Sequence, residues 1–109
     1  MKKSTVLPVV AVALSLIGSM VYAENPNVMN KGESKFKELC SMCHPDGGNI
    51  VNPKKTLHAK DRTANGIKNE ADIVKIMRKP GPGMTTFDTK TVSEKDAGEM
   101  AKYIIKTFK

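Results

Sequence analysis

Residues 40–44 read Cys40-Ser41-Met42-Cys43-His44, and they hold both cysteines and one of the two histidines of the 109-residue chain. Cysteines at this spacing on a helical turn put two thiols along one edge of whatever lies beside them. The next residue carries an imidazole to the same place. A disulfide between them would close a loop too short to restrain the chain. A thiol redox pair would follow a strand and open a helix, and no strand pattern precedes Cys40. A zinc site would need further ligands, and His58 is the one remaining histidine. C-x-x-C-H is the attachment signature of c-type haem. The thiols reach the two vinyl groups on one edge of the porphyrin, and His44 comes to lie beneath the iron.

On the N-terminal side, Gly32 to Cys40 is helical in pattern. Phe36 and Leu39 share one side, with Lys35, Lys37 and Glu38 outside. Residues 24–31 are polar, with Asn and Pro, and read as a flexible lead-in. Residues 1–23 read as a secretory signal peptide. Lys2 and Lys3 give the positive start, Val6 to Ile17 the apolar run, and Val21-Tyr22-Ala23 the small-residue site for a cut before Glu24. The alternative is an uncleaved anchor, but the run is short for a span of ~20 residues. Cleavage after Ala23 implies a periplasmic protein.

On the C-terminal side, Pro45, Gly47, Gly48, Asn49, Asn52 and Pro53 mark a loop. Residues 57–64 hold a short helical turn. Asn69 caps a helix that has Glu70 and Asp72 in its first turn and Ile73, Val74, Ile76 and Met77 on its apolar face. Pro80 ends it. Pro80-Gly81-Pro82-Gly83 is a rigid loop leading into Met84. Ser93 with Asp96 resembles a capping box. Ala97, Met100, Ala101, Ile104, Ile105 and Phe108 make a last amphipathic helix. No segment alternates at period two, so the class is all-α: about four helices with long loops. Such loops are unusual in so small a domain. A covalent haem resolves this, because short helices and loops can wrap an apolar plate.

Haem iron in electron-transfer cytochromes is commonly held by His and Met. Met20 lies in the signal segment and Met29 in the lead-in. Met42 is too near His44 in sequence to cross the haem plane. Met77 and Met100 sit at core spacing. Met84 follows the glycine-containing loop, whose backbone can lie flat against a ring, and is the candidate sixth ligand. His58 is the alternative.

These motifs resemble class I c-type cytochromes, and more narrowly the cytochrome c6 family and its bacterial monohaem relatives. The resemblance covers Gly32 to Lys109. It rests on C-x-x-C-H followed by Gly47-Gly48-Asn49, on Pro53-Lys54-Lys55-Thr56-Leu57, and on the Gly-x-Gly-Met run ending at Met84. It implies a small class I fold over residues 32–109, with the first helix crossing the last and Gly32 and Phe36 packed near Tyr103. It implies that Asn49, Asn52, Lys55, Thr56 and Leu57 line the haem pocket, with Lys55 a propionate partner. The neighbourhood of Pro53 would supply a backbone acceptor that orients the His44 imidazole. Two departures stand out. Thr85, not proline, follows Met84, and Ile76 occupies a position where photosynthetic c6 proteins tend to carry glutamine. Ile76 removes a polar contact to the ring, which implies a lower potential and fits a bacterial respiratory relative as well as a photosynthetic one.

The formal charge is +7, and loss of Lys2 and Lys3 with the signal segment brings it to +5. Haem propionates offset part of this, and Lys54, Lys55, Lys60 and Lys90 would surround the haem-side loops. This favours redox partners with an acidic docking face. Secretion together with a haem argues against nucleic acid, and no amphipathic segment offers a stable membrane anchor. The expected function is a soluble monomeric one-electron carrier between larger redox proteins, not an enzyme. The alternative is a haem sensor or peroxidase-like protein with a labile sixth ligand.

Overall fold

The computed structural model describes residues 26–109, with side chains from Lys31 onward. The signal segment and its cut after Ala23 lie outside the described residues. Four helices follow in order: α1 (Pro26–Leu39), α2 (Ala59–Ala64), α3 (Glu70–Arg78) and α4 (Glu94–Thr107), with a 3-10 turn at Pro45–Gly47. No strand occurs among the described residues.

The first helix starts earlier than the apolar pattern suggests. The lead-in expected over residues 24–31 is helical from Pro26. Proline is well suited to the first helical position, where its missing N–H costs nothing and its φ is already set. The caps of α3 and α4 follow the sequence. The Asn69 side chain accepts from the Asp72 N–H, and that of Ser93 accepts from the Asp96 N–H. The Asp96 carboxylate does not complete a box. It pairs instead with Lys31 Nζ at 3.1 Å, tying the start of α4 to α1.

The α1–α4 crossing is backbone on backbone. A Cβ on Gly32 would run into the Glu99 carbonyl and lie 3.3 Å from the Met100 nitrogen, so only glycine permits this approach. Further along α1, Phe36 packs on Tyr103 with ring centroids 5.4 Å apart and on Phe108 at 5.3 Å. Gly32 itself therefore meets Glu99 and Met100, one turn before Tyr103. The buried core joins Phe36 to Ile73 and Met77 of α3 and to Ala97, Met100, Ala101 and Ile104 of α4. These helices form a scaffold, and the long loops after α1 and α3 close over one side of it.

Candidate haem site

One cavity of about 340 Å³ opens among these loops. Cys40, Cys43 and His44 line it from the end of α1, Asn49, Asn52, Lys55, Thr56 and Leu57 from the loop before α2, and Met84 from the loop after α3. All nine residues singled out in the sequence thus reach one space. Its apolar wall includes Leu39, Ile67, Ile73, Ile76, Met77 and Phe87.

The helix α1 ends where its chemistry begins. The Cys40 N–H still donates to the Phe36 carbonyl as in a helix, and the His44 N–H donates to the Cys40 carbonyl at 2.9 Å. The chain then turns sharply, with Asp46 in the left-handed region at φ 52. That turn brings the Gly48 carbonyl back onto the imidazole, where His44 Nδ1 donates to it at 2.7 Å. The bond fixes the tautomer and leaves Nε2 with its lone pair, the state an iron ligand requires. The acceptor is thus Gly48 and not the neighbourhood of Pro53. A turn of three residues places it closer than the longer loop could.

The cysteines fit attachment better than thiol redox chemistry. Cys40 is buried and Cys43 exposed, and both are free. Burial, with a smaller contribution from Cys43, pushes the Cys40 thiol up to about 11. A catalytic thiol pair shows the opposite shift.

The loop carrying Met84 uses glycine at the cavity mouth. Gly83 has φ +89, and a Cβ there would lie 2.9 Å from Val51 Cγ1, so it closes the mouth against the facing loop. Gly81 faces open space. The close approach is therefore to Val51, which itself lines the cavity. His58 falls elsewhere. Its ring meets Phe108 edge-on at 5.8 Å, outside the cavity lining. That position speaks against His58 as the alternative ligand. Met77 and Met100 are buried in the core, as their spacing indicates, and Met42 is 86% exposed.

Arg62 is a cavity residue that the sequence reading missed. It is buried, and its Nη1 donates to the carbonyls of Leu57 and Phe108. Burial pulls its proton affinity down, but an arginine stays charged across the physiological range. The Leu57 N–H in turn donates to the Gly47 carbonyl at 2.7 Å. Arg62 thus fastens the C-terminus to the turn that follows His44. No local pattern marks it, since an arginine in a short polar helix usually faces water.

The donor set and walls fit a covalently attached haem: two thiols, an imidazole with one nitrogen committed, a thioether and an apolar lining. Comparison with known proteins agrees. Residues 27–104 match the family model of cytochrome c oxidase, cbb3-type, subunit III. The chain is 32% identical to cytochrome c6 of Cyanidium caldarium over 103 residues, which is 92% of this chain and 90% of the relative. The solved structure of OmcF, an outer membrane cytochrome from Geobacter sulfurreducens, superposes with a TM-score of 0.70 at 40% identity, covering 72% of this chain and 99% of that one. Cytochrome c6C from Synechococcus sp. PCC 7002 shares the fold with a TM-score of 0.67 at 23% identity, covering 72% and 94%. The chain belongs to this family of c-type cytochromes, related to cytochrome c6, and its cofactor is one haem c attached through Cys40 and Cys43.

Proposed function

We propose that this chain is a soluble, periplasmic, monomeric electron carrier whose iron is held by His44 and Met84. The observation that carries this reading is the single cavity lined by both thiols, by an imidazole with Nδ1 already bonded, and by the Met84 side chain. When bound, the haem supplies a one-electron couple. The protein's part is to hold it. The Gly48 carbonyl orients the His44 ring and leaves Nε2 free to bind. Met84 presents a thioether, a ligand that favours the reduced state and so raises the potential. Leu39, Ile73, Ile76 and Met77 exclude water from the ring. With His44 and Met84 both given to the iron, the protein would leave it no open position for a substrate. This makes the chain a carrier and not an enzyme.

The partners are redox proteins, and we place their docking surface at the cavity mouth. Exposed Val51 lines the cavity, and exposed Met42 and Ile50 are chain neighbours of its lining residues Cys43 and Val51. The Ile50 N–H donates to the Cys43 carbonyl, which keeps Ile50 beside the attachment site. Exposed Lys54 and Lys55 flank this patch, and a partner with an acidic face would complement them. No helix among the described residues is long and apolar enough to cross a membrane.

Absorption spectra of the purified periplasmic protein test the ligand reading. A c-type reduced spectrum, a weak far-red methionine–iron band when oxidised, and no binding of carbon monoxide when reduced are expected. A missing far-red band together with tight carbon monoxide binding would move the sensor or peroxidase-like alternative to the front.

A further inference from the structure

The segment between α3 and α4 carries Met84 in its middle, and little within the segment holds it. The Met84 N–H reaches the Gly81 carbonyl only at 3.4 Å. Gly81, Pro82, Gly83, Thr85 and Thr86 are exposed. Two threonines follow the methionine, so no proline fixes φ on that side. The order comes from the end of α3. The Phe87 N–H donates to the Met77 carbonyl at 2.9 Å. Arg78 Nη1 donates to the Phe87 carbonyl at 3.1 Å and to the Val92 carbonyl at 2.7 Å. Both backbone groups of Phe87 are therefore gripped by the last turn of α3, and the chain from residue 79 to 87 becomes a closed loop with Met84 inside it. The same guanidinium nitrogen fixes the point where the segment enters α4.

Two details show that this guanidinium is held inward. Its side chain is 19% exposed, whereas that of Glu94, which takes Nη2 at 3.3 Å, is 77% exposed. Its Nε is buried with no hydrogen-bond partner. A surface arginine would turn Nε to water, and here the two carbonyls prevent that. A lysine could not reproduce the planar fork that serves the carbonyls and Glu94 together.

We propose that Arg78 is a positioning residue for the sixth ligand: it keeps the Met84 loop closed and so keeps the thioether on the iron. The proposal rests on the reading of Met84 as that ligand. It predicts that loss of Arg78 labilises the methionine more than it weakens the fold.

The test is imidazole binding to the oxidised haem protein, because imidazole competes with Met84 and needs the loop to open. The far-red methionine band is recorded alongside. Arg78→Gln is compared with Asn69→Ala, which removes the cap at the far end of the same helix, and with Glu94→Gln, which removes only the exposed partner. Arg78→Gln should tighten imidazole binding about tenfold, the worth of one hydrogen bond from a charged donor, while the two controls stay within about twofold of wild type. Equal affinity in Arg78→Gln and wild type overturns the proposal. So does an equal tightening in Asn69→Ala, which would mean that global stability alone sets access. If Arg78→Gln does not accumulate, Arg78→Lys decides: a smaller tightening supports the proposal and unchanged affinity overturns it. A wild-type protein without the far-red band overturns the Met84 reading, and the role of Arg78 with it.

Discussion

Arg62 Nη1 donates to the carbonyl of Phe108 at 2.7 Å, joining residues 46 apart in the chain. The Phe108 ring lies against Gly47, within the turn that follows His44. The C-terminal segment is thereby tied to the turn that carries the acceptor for His44. Replacing Arg62 with Met keeps the stem's volume but leaves two carbonyls without their donor. Stability should fall by about 2–3 kcal/mol, which for a domain of this size is a drop in Tm of roughly 10–20 °C. Thermal unfolding of the haem protein checks this, and a Tm within a few degrees of wild type would dismiss the clamp.

The helix crossing gives a second prediction. Gly32→Ala places a methyl group against the Glu99 backbone, which cannot yield as a flexible side chain could. Overpacking of this kind costs about 1–3 kcal/mol, and Gly32→Val should cost more. Gly32 does not line the cavity, so the spectrum of the folded protein should stay unchanged while denaturant midpoints fall. A changed far-red band in Gly32→Ala would show that the crossing does more than support the fold.

Met84→Ala should abolish the far-red band and open the iron to carbon monoxide. The midpoint potential should fall by on the order of 100 mV, within the roughly 0.8 V that axial ligands can span. Retention of the band would assign the thioether to another methionine.

Ile76 is half-buried and lines the cavity. Ile76→Gln returns a polar group to the ring's surroundings, and the midpoint potential should rise. Redox titration against the wild type decides it, and equal potentials would remove Ile76 as a determinant.

Asp88 supplies a pH dependence. The N–H and hydroxyl of Thr91 hold its carboxyl below the ordinary carboxylate range, helped by the Lys90 N–H and the charge of Arg78. Its folded value lies below the unfolded one of about 3.9. The stabilisation is therefore present above that unfolded value and lost as pH falls through the folded one. The gap in Tm between wild type and Asp88→Asn should narrow as pH is lowered from about 5 to about 2. A gap that stays constant over this range would mean that ionisation of Asp88 contributes nothing to the turn.

The sequence by itself determined what depends on neighbours along the chain. Cys40, Cys43 and His44 declare their cofactor through spacing alone, because a helical turn fixes how far apart two thiols can stand. Asn69 and Ser93 cap α3 and α4 as read, since a cap bonds an N–H three residues on. Pro26 also carried a local signal for a helix start, outweighed in the reading by its polar neighbours. Tertiary structure decided the rest. The choice of Gly48 to orient His44 followed from a tight turn that puts Asp46 in a left-handed conformation, and side-chain polarity does not announce such a turn. Arg62 and Arg78 look like any basic residues on polar helices. They are inward because carbonyls from distant segments arrive beside them, and two bonds from one charged donor to those carbonyls offset the desolvation of the guanidinium. Spacing could nominate the residues that meet the haem, but only the folded chain could bring together the carbonyls and cations that hold those residues in place.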